Sequence, residues 1–287
     1  MHPAPSLILL SSLSGLGFGA LALLGLRAPE GLAAFLWFAL AFALTGGGLL
    51  ASVAHLRRPA RAVYAFSQWR SSWLSREAVL SVAALLVMGV VALLRILGVA
   101  AGPLGWLGGL LCLGTVGATA MIYAQLRTVP RWRHWSTPAL LVALSLAGGA
   151  TLLGLRMPAA GLLVVALVLQ VVNWRHGAGA FAALGQSAAS ATGLKGFVRS
   201  LAPPHTGPNY LTHEMMFVVG RRRAEQLRLV ALGAGFVVPV ALLLVPAIGP
   251  LPVWPLAAPV HLLGVLASRW LFFAEAEHVV GLYYGAR

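Results

Sequence analysis

Ala78-Val-Leu-Ser-Val-Ala-Ala-Leu-Leu-Val-Met-Gly-Val-Val-Ala-Leu-Leu94 runs without a charge between Glu77 and Arg95. With its flanks it forms a span of about 20 residues, the length a helix needs to cross roughly 30 Å of hydrocarbon. Similar runs recur along the chain. Spans are expected at about 6–26, 32–54, 76–98, 103–126, 137–155, 158–174, 227–248 and 255–281. Sixty per cent of the 287 residues are apolar and nine per cent charged, with a mean hydropathy of +0.89. A soluble core cannot bury that much apolar surface. Ten-residue alternating segments are absent, which favours a helical bundle over a membrane barrel. The fold expected is an all-α integral membrane protein, a bundle of eight transmembrane helices in a single membrane domain. The first run lacks a basic leader and a cleavage site, so it is read as a retained helix.

Charge is lopsided. The chain has no Asp, six Glu, a single Lys at position 195 and a net charge of +14. With eight spans, both termini and the segments 55–75, 127–136 and 175–226 share one face, and these carry most of the arginines. The opposite face has short turns with Arg27, Glu30, Arg95 and Arg156. The excess of basic residues places both termini and the large loops in the cytoplasm. In so apolar a chain this charge reads as loop topology and lipid contact, not as nucleic-acid binding. The long cytoplasmic loop 175–226 divides at Gly196. A surface helix is expected within 177–196, and an ordered loop over the Pro-rich Leu201–Tyr210. Small residues such as Gly15, Gly17, Gly19 and Gly46–Gly48 are read as close helix contacts. The lone Cys112 lies within a span, which excludes disulfides and thiolate metal or cluster ligation by this chain. No metal site is expected.

Candidate chemistry concentrates between the second and third spans. His55 ends one and Glu77 begins the other, with arginines and aromatic rings between them. An imidazole can hydrogen-bond a quinone carbonyl and exchange the accompanying proton; the alternative is an interfacial histidine facing water. Glu77 has two readings. It is a proton-handling carboxylate beside hydrocarbon, or it complements the positive end of a helix capped by Ser75. Tyr123 is a quinone contact or a member of the interfacial aromatic belt, as are Trp69, Trp73, Trp132 and Trp135. Glu275 and His278 are three apart, so on one helix face they would relay a proton or form an internal charge pair. His55, His134, His176 and His278 fall near one face and His261 near the other. No helix carries two histidines spaced for stacked haems, so no haem is expected.

His55-Leu-x-x-Pro59-x-Arg61-Ala62, followed by Ser75-Arg76-Glu77, resembles the membrane anchor of dimethyl sulfoxide reductase and its relatives, the DmsC branch of the NrfD-like anchors. Met121-Ile-Tyr123 with Thr128-Val-Pro130-x-Trp132 is similar to the same family. Pro203-Pro-His-Thr-Gly-Pro-Asn-Tyr210, with Glu214 and Val219-Gly-Arg221, and Arg269-Trp-Leu-Phe-Phe-Ala-Glu275-x-x-His278 resemble a bacterial subgroup that includes the anchors of cytoplasmic sulfite dehydrogenases. The resemblance runs the whole length. It implies an eight-helix subunit of the bacterial inner membrane, without haem, that holds an iron–sulfur subunit and a molybdopterin catalytic subunit on its cytoplasmic face. It also implies electron exchange with ubiquinone or menaquinone, with His55 and Glu77 as quinone-site residues. Arg61, Trp69, Arg76 and Tyr123 complete the expected quinone contacts. The implied role is a sulfite dehydrogenase anchor delivering electrons to quinone, or a dimethyl sulfoxide reductase anchor oxidising menaquinol. A secondary transporter for an anion and a b-type cytochrome anchor are the rivals from other classes; no paired broken helices or inverted repeat support the first.

Overall fold

The backbone polar groups of an apolar chain in hydrocarbon must bond within their own segment, and helices do this at every residue. The computed structural model describes residues 2–54, 56, 58–196, 198, 201, 202, 207, 223–245 and 253–284. Among these, every regular element is helical. We number the helices α1 Pro5–Leu26, α2 Gly31–Ala54, α3 Trp73–Ile96, α4 Pro103–Ala124, α5 Ser136–Leu152, α6 Arg156–Ala183, α7 Ala188–Thr192, α8 Ala224–Leu244 and α9 Ala257–Ala274. A 3₁₀ helix, Pro59–Phe66, joins α2 to α3. Among the described residues, seven elements are long and apolar enough to cross a membrane: α1, α2, α3, α4, α6, α8 and a last span built on α9. Helix α5 is apolar but has only 17 residues.

The packing inverts that of a soluble protein. Large apolar side chains face outward, among them Leu32, Leu36, Leu86, Leu93, Trp106 and Val168. Polar side chains such as Ser12, Thr45, Thr119, Ser145, Gln170, His261 and Arg269 are buried. Helix α1 is the best-buried span and touches α2, α4, α5 and α9. Its glycines explain how one helix meets so many others. A Cβ on Gly17 would lie 2.6 Å from the Thr45 backbone nitrogen of α2. On Gly19 it would collide with the Ser145 carbonyl oxygen of α5, and on Gly25 with the Gly105 carbonyl oxygen of α4. These contacts are closed to any larger residue. Helices α3 and α4 pair around the outside, as do α5 with α6 and α8 with α9.

Two helices contain a wide π turn, Leu10–Ser14 in α1 and Gly233–Val237 in α8. The second has a visible cause. Pro239 has no N–H for the Gly235 carbonyl, four residues back. The Nδ1 of His261, on α9, lies 2.6 Å from that oxygen and supplies the missing donor.

Several boundaries differ from the sequence expectation. The residues expected as a separate surface helix are divided, because α6 continues unbroken to Ala183 and only the one-turn α7 follows. The last helix stops at Ala274, and residues 279–284 form a 3₁₀ turn. Most of the Pro-rich loop expected over Leu201–Tyr210 lies outside the described residues.

At the end with the short turns, the arginines bond backbone carbonyls left over at helix ends. Arg95 donates to the carbonyls of Ala28 and Pro29 and pairs with Glu30 at 3.2 Å. Arg156 donates to Leu243 at 2.7 Å and Val245 at 3.1 Å.

A Cβ on Gly149 would fall against the Gly19 carbonyl group. Replacing Gly149 with Leu should therefore destabilise the bundle by about 2 kcal/mol, as overpacking does. Thermal unfolding in detergent measures this. Gly46→Ala, which meets open space, should leave the midpoint unchanged or raise it.

Candidate functional site

Helix α3 begins at Trp73, one turn earlier than a Ser75 cap would require. Ser72 occupies the cap position and its side chain makes no capping bond. This corrects the capping reading of Glu77. The carboxylate lies beyond the first turn, where helix-dipole compensation fades, and it is 7% exposed. A carboxylate in that position needs a partner, and α4 provides one. Thr119 Oγ1 lies 2.5 Å from Glu77 Oε1 and 3.1 Å from the carbonyl of Thr115. The hydroxyl has one proton, so the pair has two satisfied arrangements. With Glu77 ionised, Thr119 donates to the carboxylate. With Glu77 protonated, the carboxyl donates to Thr119, which turns its own proton to Thr115. The site therefore accommodates both protonation states without moving a helix.

One turn further along α4, Tyr123 is enclosed. Its ring meets Trp132 and Phe272 edge-on at 5.3 Å each and Phe273 at 5.6 Å. Trp132 donates its indole N–H to the Phe272 carbonyl at 2.9 Å and stacks on the Phe272 ring. Behind them is Arg269, 2% exposed, its guanidinium 4.8 Å from the Phe272 ring centre. Tyr123 and Trp132 are thus interior residues and not part of an interfacial belt; Trp135, 62% exposed, suits one.

The structure brings Glu77 and Tyr123 together. His55 lies outside the described residues. Arg61 and Trp69 are on the surface, in the 3₁₀ helix and the turn after it. Arg76 ties that turn down, donating to the carbonyls of Trp69 at 3.1 Å and Arg70 at 2.6 Å while covering the Trp73 ring at 4.4 Å. Its observed work is to hold the loop against α3. Thr119 and Arg269 were not singled out as site residues from sequence. A signal for Thr119 existed: Thr115, Thr119 and Tyr123 repeat every four residues and so share one face of α4.

Residues 33–173 match the family model described as DMSO reductase anchor subunit (DmsC). The chain is also 31% identical over 334 aligned residues to a sulfite dehydrogenase subunit of Allochromatium vinosum, with 99% of each chain covered. This chain belongs to the DMSO reductase anchor family. It is a multi-pass membrane protein and, as an anchor, an associate of a catalytic molybdoenzyme. The DmsC-like chain joins its elements at the loop-bearing end by charge. Glu275 accepts from Arg131, in the α4–α5 loop, and from Arg228, near the start of α8, at 2.5 Å. Burial pulls the Arg131 guanidinium below its ordinary pKa, and Glu275 opposes that shift. Because α9 has already ended, Glu275 and His278 do not share a helix face, and His278 Nδ1 accepts from the Val280 amide at 3.1 Å. Of the two readings, internal charge pairing is the one observed for Glu275.

His134 and His176 stack face to face, with ring centres 3.9 Å apart. That spacing leaves no room for a macrocycle between them. Burial first, and then His176, lowers the pKa of His134.

Glu275→Gln should destabilise the anchor by about 2 kcal/mol, since it removes the carboxylate that accepts from both Arg131 and Arg228; detergent unfolding checks this. The His134 shift has a definite sign. The folded state binds its proton less tightly than the unfolded chain does. The anchor is therefore most stable above the ordinary histidine value near 6.5, and it weakens as pH falls below it. Unfolding midpoints at pH 7.5 and 5.5 should differ more in the native chain than in His134→Phe, which keeps a ring in the stack.

Proposed function

We propose that this chain is the quinone-interacting anchor of a molybdopterin and iron–sulfur oxidoreductase. In this reading it passes electrons between an iron–sulfur subunit and the quinone pool. The observation that carries it is the buried Glu77 carboxylate, held by Thr119 beside Tyr123 and Arg269 at the loop-bearing end of the bundle. A quinone reduced by two electrons takes up two protons, so its site needs a carboxylate that is stable in both protonation states. Glu77 with Thr119 meets that need.

The residues suit a quinone chemically. A carboxyl exchanges protons with a quinol oxygen, and a phenol or imidazole donates to a quinone carbonyl. Glu77, Tyr123 and His55 have these functions, His55 through its place in the family motif. The ring would meet Glu77 from the side of the 3₁₀ helix, which packs on α2 and α3, near Arg61, Trp69 and Arg76. The chain's part is to orient the quinone, to exclude bulk water and to move the proton; bound quinone supplies the two-electron chemistry.

The partners in this reading are an iron–sulfur subunit and a molybdopterin subunit docked on the basic, loop-bearing face. In this reading the chain has eight spans, with α5 as a short one, and the excess of basic residues puts the loop-bearing face and both termini in the cytoplasm of a bacterial inner membrane. Similarity along the whole chain to the Allochromatium sulfite dehydrogenase protein favours sulfite oxidation with electrons flowing to quinone. The family model's description favours the second reading, a sulfoxide reductase anchor in which quinol is oxidised. Sulfite-dependent quinone reduction by the assembled complex separates the two.

In the purified complex, Glu77→Gln should lower quinone-linked turnover at least a hundredfold, while turnover of the soluble subunits with an artificial dye stays unchanged. Quinone-linked turnover equal to that of the native complex would sink the reading.

A further inference from the structure

A cavity lies in the middle of the bundle, between the π turn of α1 and helices α4, α5 and α9. It offers about 30 Å³ to the centres of water molecules, room for about two waters, and is too small for a quinone ring. Its polar lining includes Ser12, Thr119, Ser145, His261 and Arg269. Three side-chain atoms buried there have no hydrogen-bond partner: Ser12 Oγ, His261 Nε2 and Arg269 Nη2. Their residues are 2%, 0% and 2% exposed. Buried polar groups in folded proteins are almost always satisfied, by ordered water when protein atoms do not reach.

The donor pattern identifies the occupant. The Gly235 carbonyl can only accept, so His261 Nδ1 carries the proton in that bond. In the neutral ring Nε2 is then an acceptor, and no protein atom bonds it. Arg269 Nη2 only donates, and the Ser12 hydroxyl does either. Water accepts from Arg269 and donates to His261. A halide would accept from Arg269 but would meet a lone pair at His261.

The lining also has a direction. Thr119 holds Glu77 in the early turns of α3, at the loop-bearing end. His261 is in the second turn of α9, which begins at the opposite end. Arg269 and His261 are eight residues apart, about 12 Å along the helix. The polar lining therefore extends from the Glu77 site well into the bundle.

We propose that this cavity holds about two ordered waters that, together with the Thr119 and Ser12 hydroxyls, relay protons between Glu77 and His261. The proton exchanged at Glu77 then travels through the interior of the bundle. When Glu77 gives its proton to a reduced quinone, Thr119 donates its hydroxyl proton to the carboxylate and takes one from the adjoining water. The water is replenished along the relay from the His261 end. Nothing is oxidised or reduced in these steps. Only the use made of Glu77's proton rests on the quinone reading above; the water relay itself does not.

The test uses the assembled complex and the variants Thr119→Val, Thr119→Ser, His261→Phe and Glu77→Gln. Thr119→Val and His261→Phe should each lower quinone-linked turnover at least tenfold. They should also enlarge its solvent deuterium isotope effect and leave dye-linked turnover unchanged. Thr119→Ser, which restores the hydroxyl, should stay within twofold of native. If Glu77→Gln is inactive but Thr119→Val keeps the native rate and isotope effect, the water relay is wrong although the quinone site stands. If Glu77→Gln is fully active, the quinone reading fails, and a high-resolution map of the complex decides the cavity. Water bonded to Arg269 Nη2 and His261 Nε2 supports the proposal. A dry cavity, an acyl chain, or a halide that bromide replaces overturns it.

Discussion

Backbone-to-backbone contact along α1 is the constraint on which the bundle depends. With lipid outside, apolar side chains gain little by leaving it, and helices associate through close packing and polar contacts. Gly17, Gly19 and Gly25 bring α1 against α2, α5 and α4 in turn. One helix thereby organises the two halves of the chain, and the polar residues it bears are carried to the centre. Ser12 and Ser14 are buried because the helix that presents them is surrounded.

That arrangement reserves the interior for polar chemistry. Glu77, Thr119, Tyr123, Arg269 and His261 come from three helices, the consecutive α3 and α4 and the distant α9. Each would be expensive against hydrocarbon, and each is shielded from it by a neighbouring helix. Glu77 has Thr119, and the Gly235 carbonyl freed by Pro239 has His261. Arg269 leaves Nη2 without a protein partner, which marks the interior as a place where water has work to do.

The loop-bearing end is organised differently. Glu275 binds Arg131 and Arg228 and so gathers the α4–α5 loop, the start of α8 and the end of α9. Arg76 fixes the turn before α3 through backbone carbonyls. A surface held in this way suits a family whose members anchor a soluble molybdoenzyme, since docking needs loops whose shape does not change with each encounter.

The membrane class, the all-helical fold and the family were legible in the sequence, because each depends on local pattern. Length and hydropathy decide a span, and the run His55–Glu77 resembles the family whatever its surroundings and lies within the stretch that matches its model. Glu77 stood out because carboxylates are rare here. Its environment was hidden, since Thr119 is 42 residues away and Arg269 lies on the last long helix, and only helix packing makes them neighbours. The end of α9 at Ala274 separated Glu275 from His278 and gave the carboxylate to two distant arginines instead. Tyr123 and Trp132, which composition alone assigns equally well to an interfacial belt, went to the interior because Phe272 and Phe273 close over them. Periodicity reports which face a residue occupies, and the tertiary structure alone reports what that face meets.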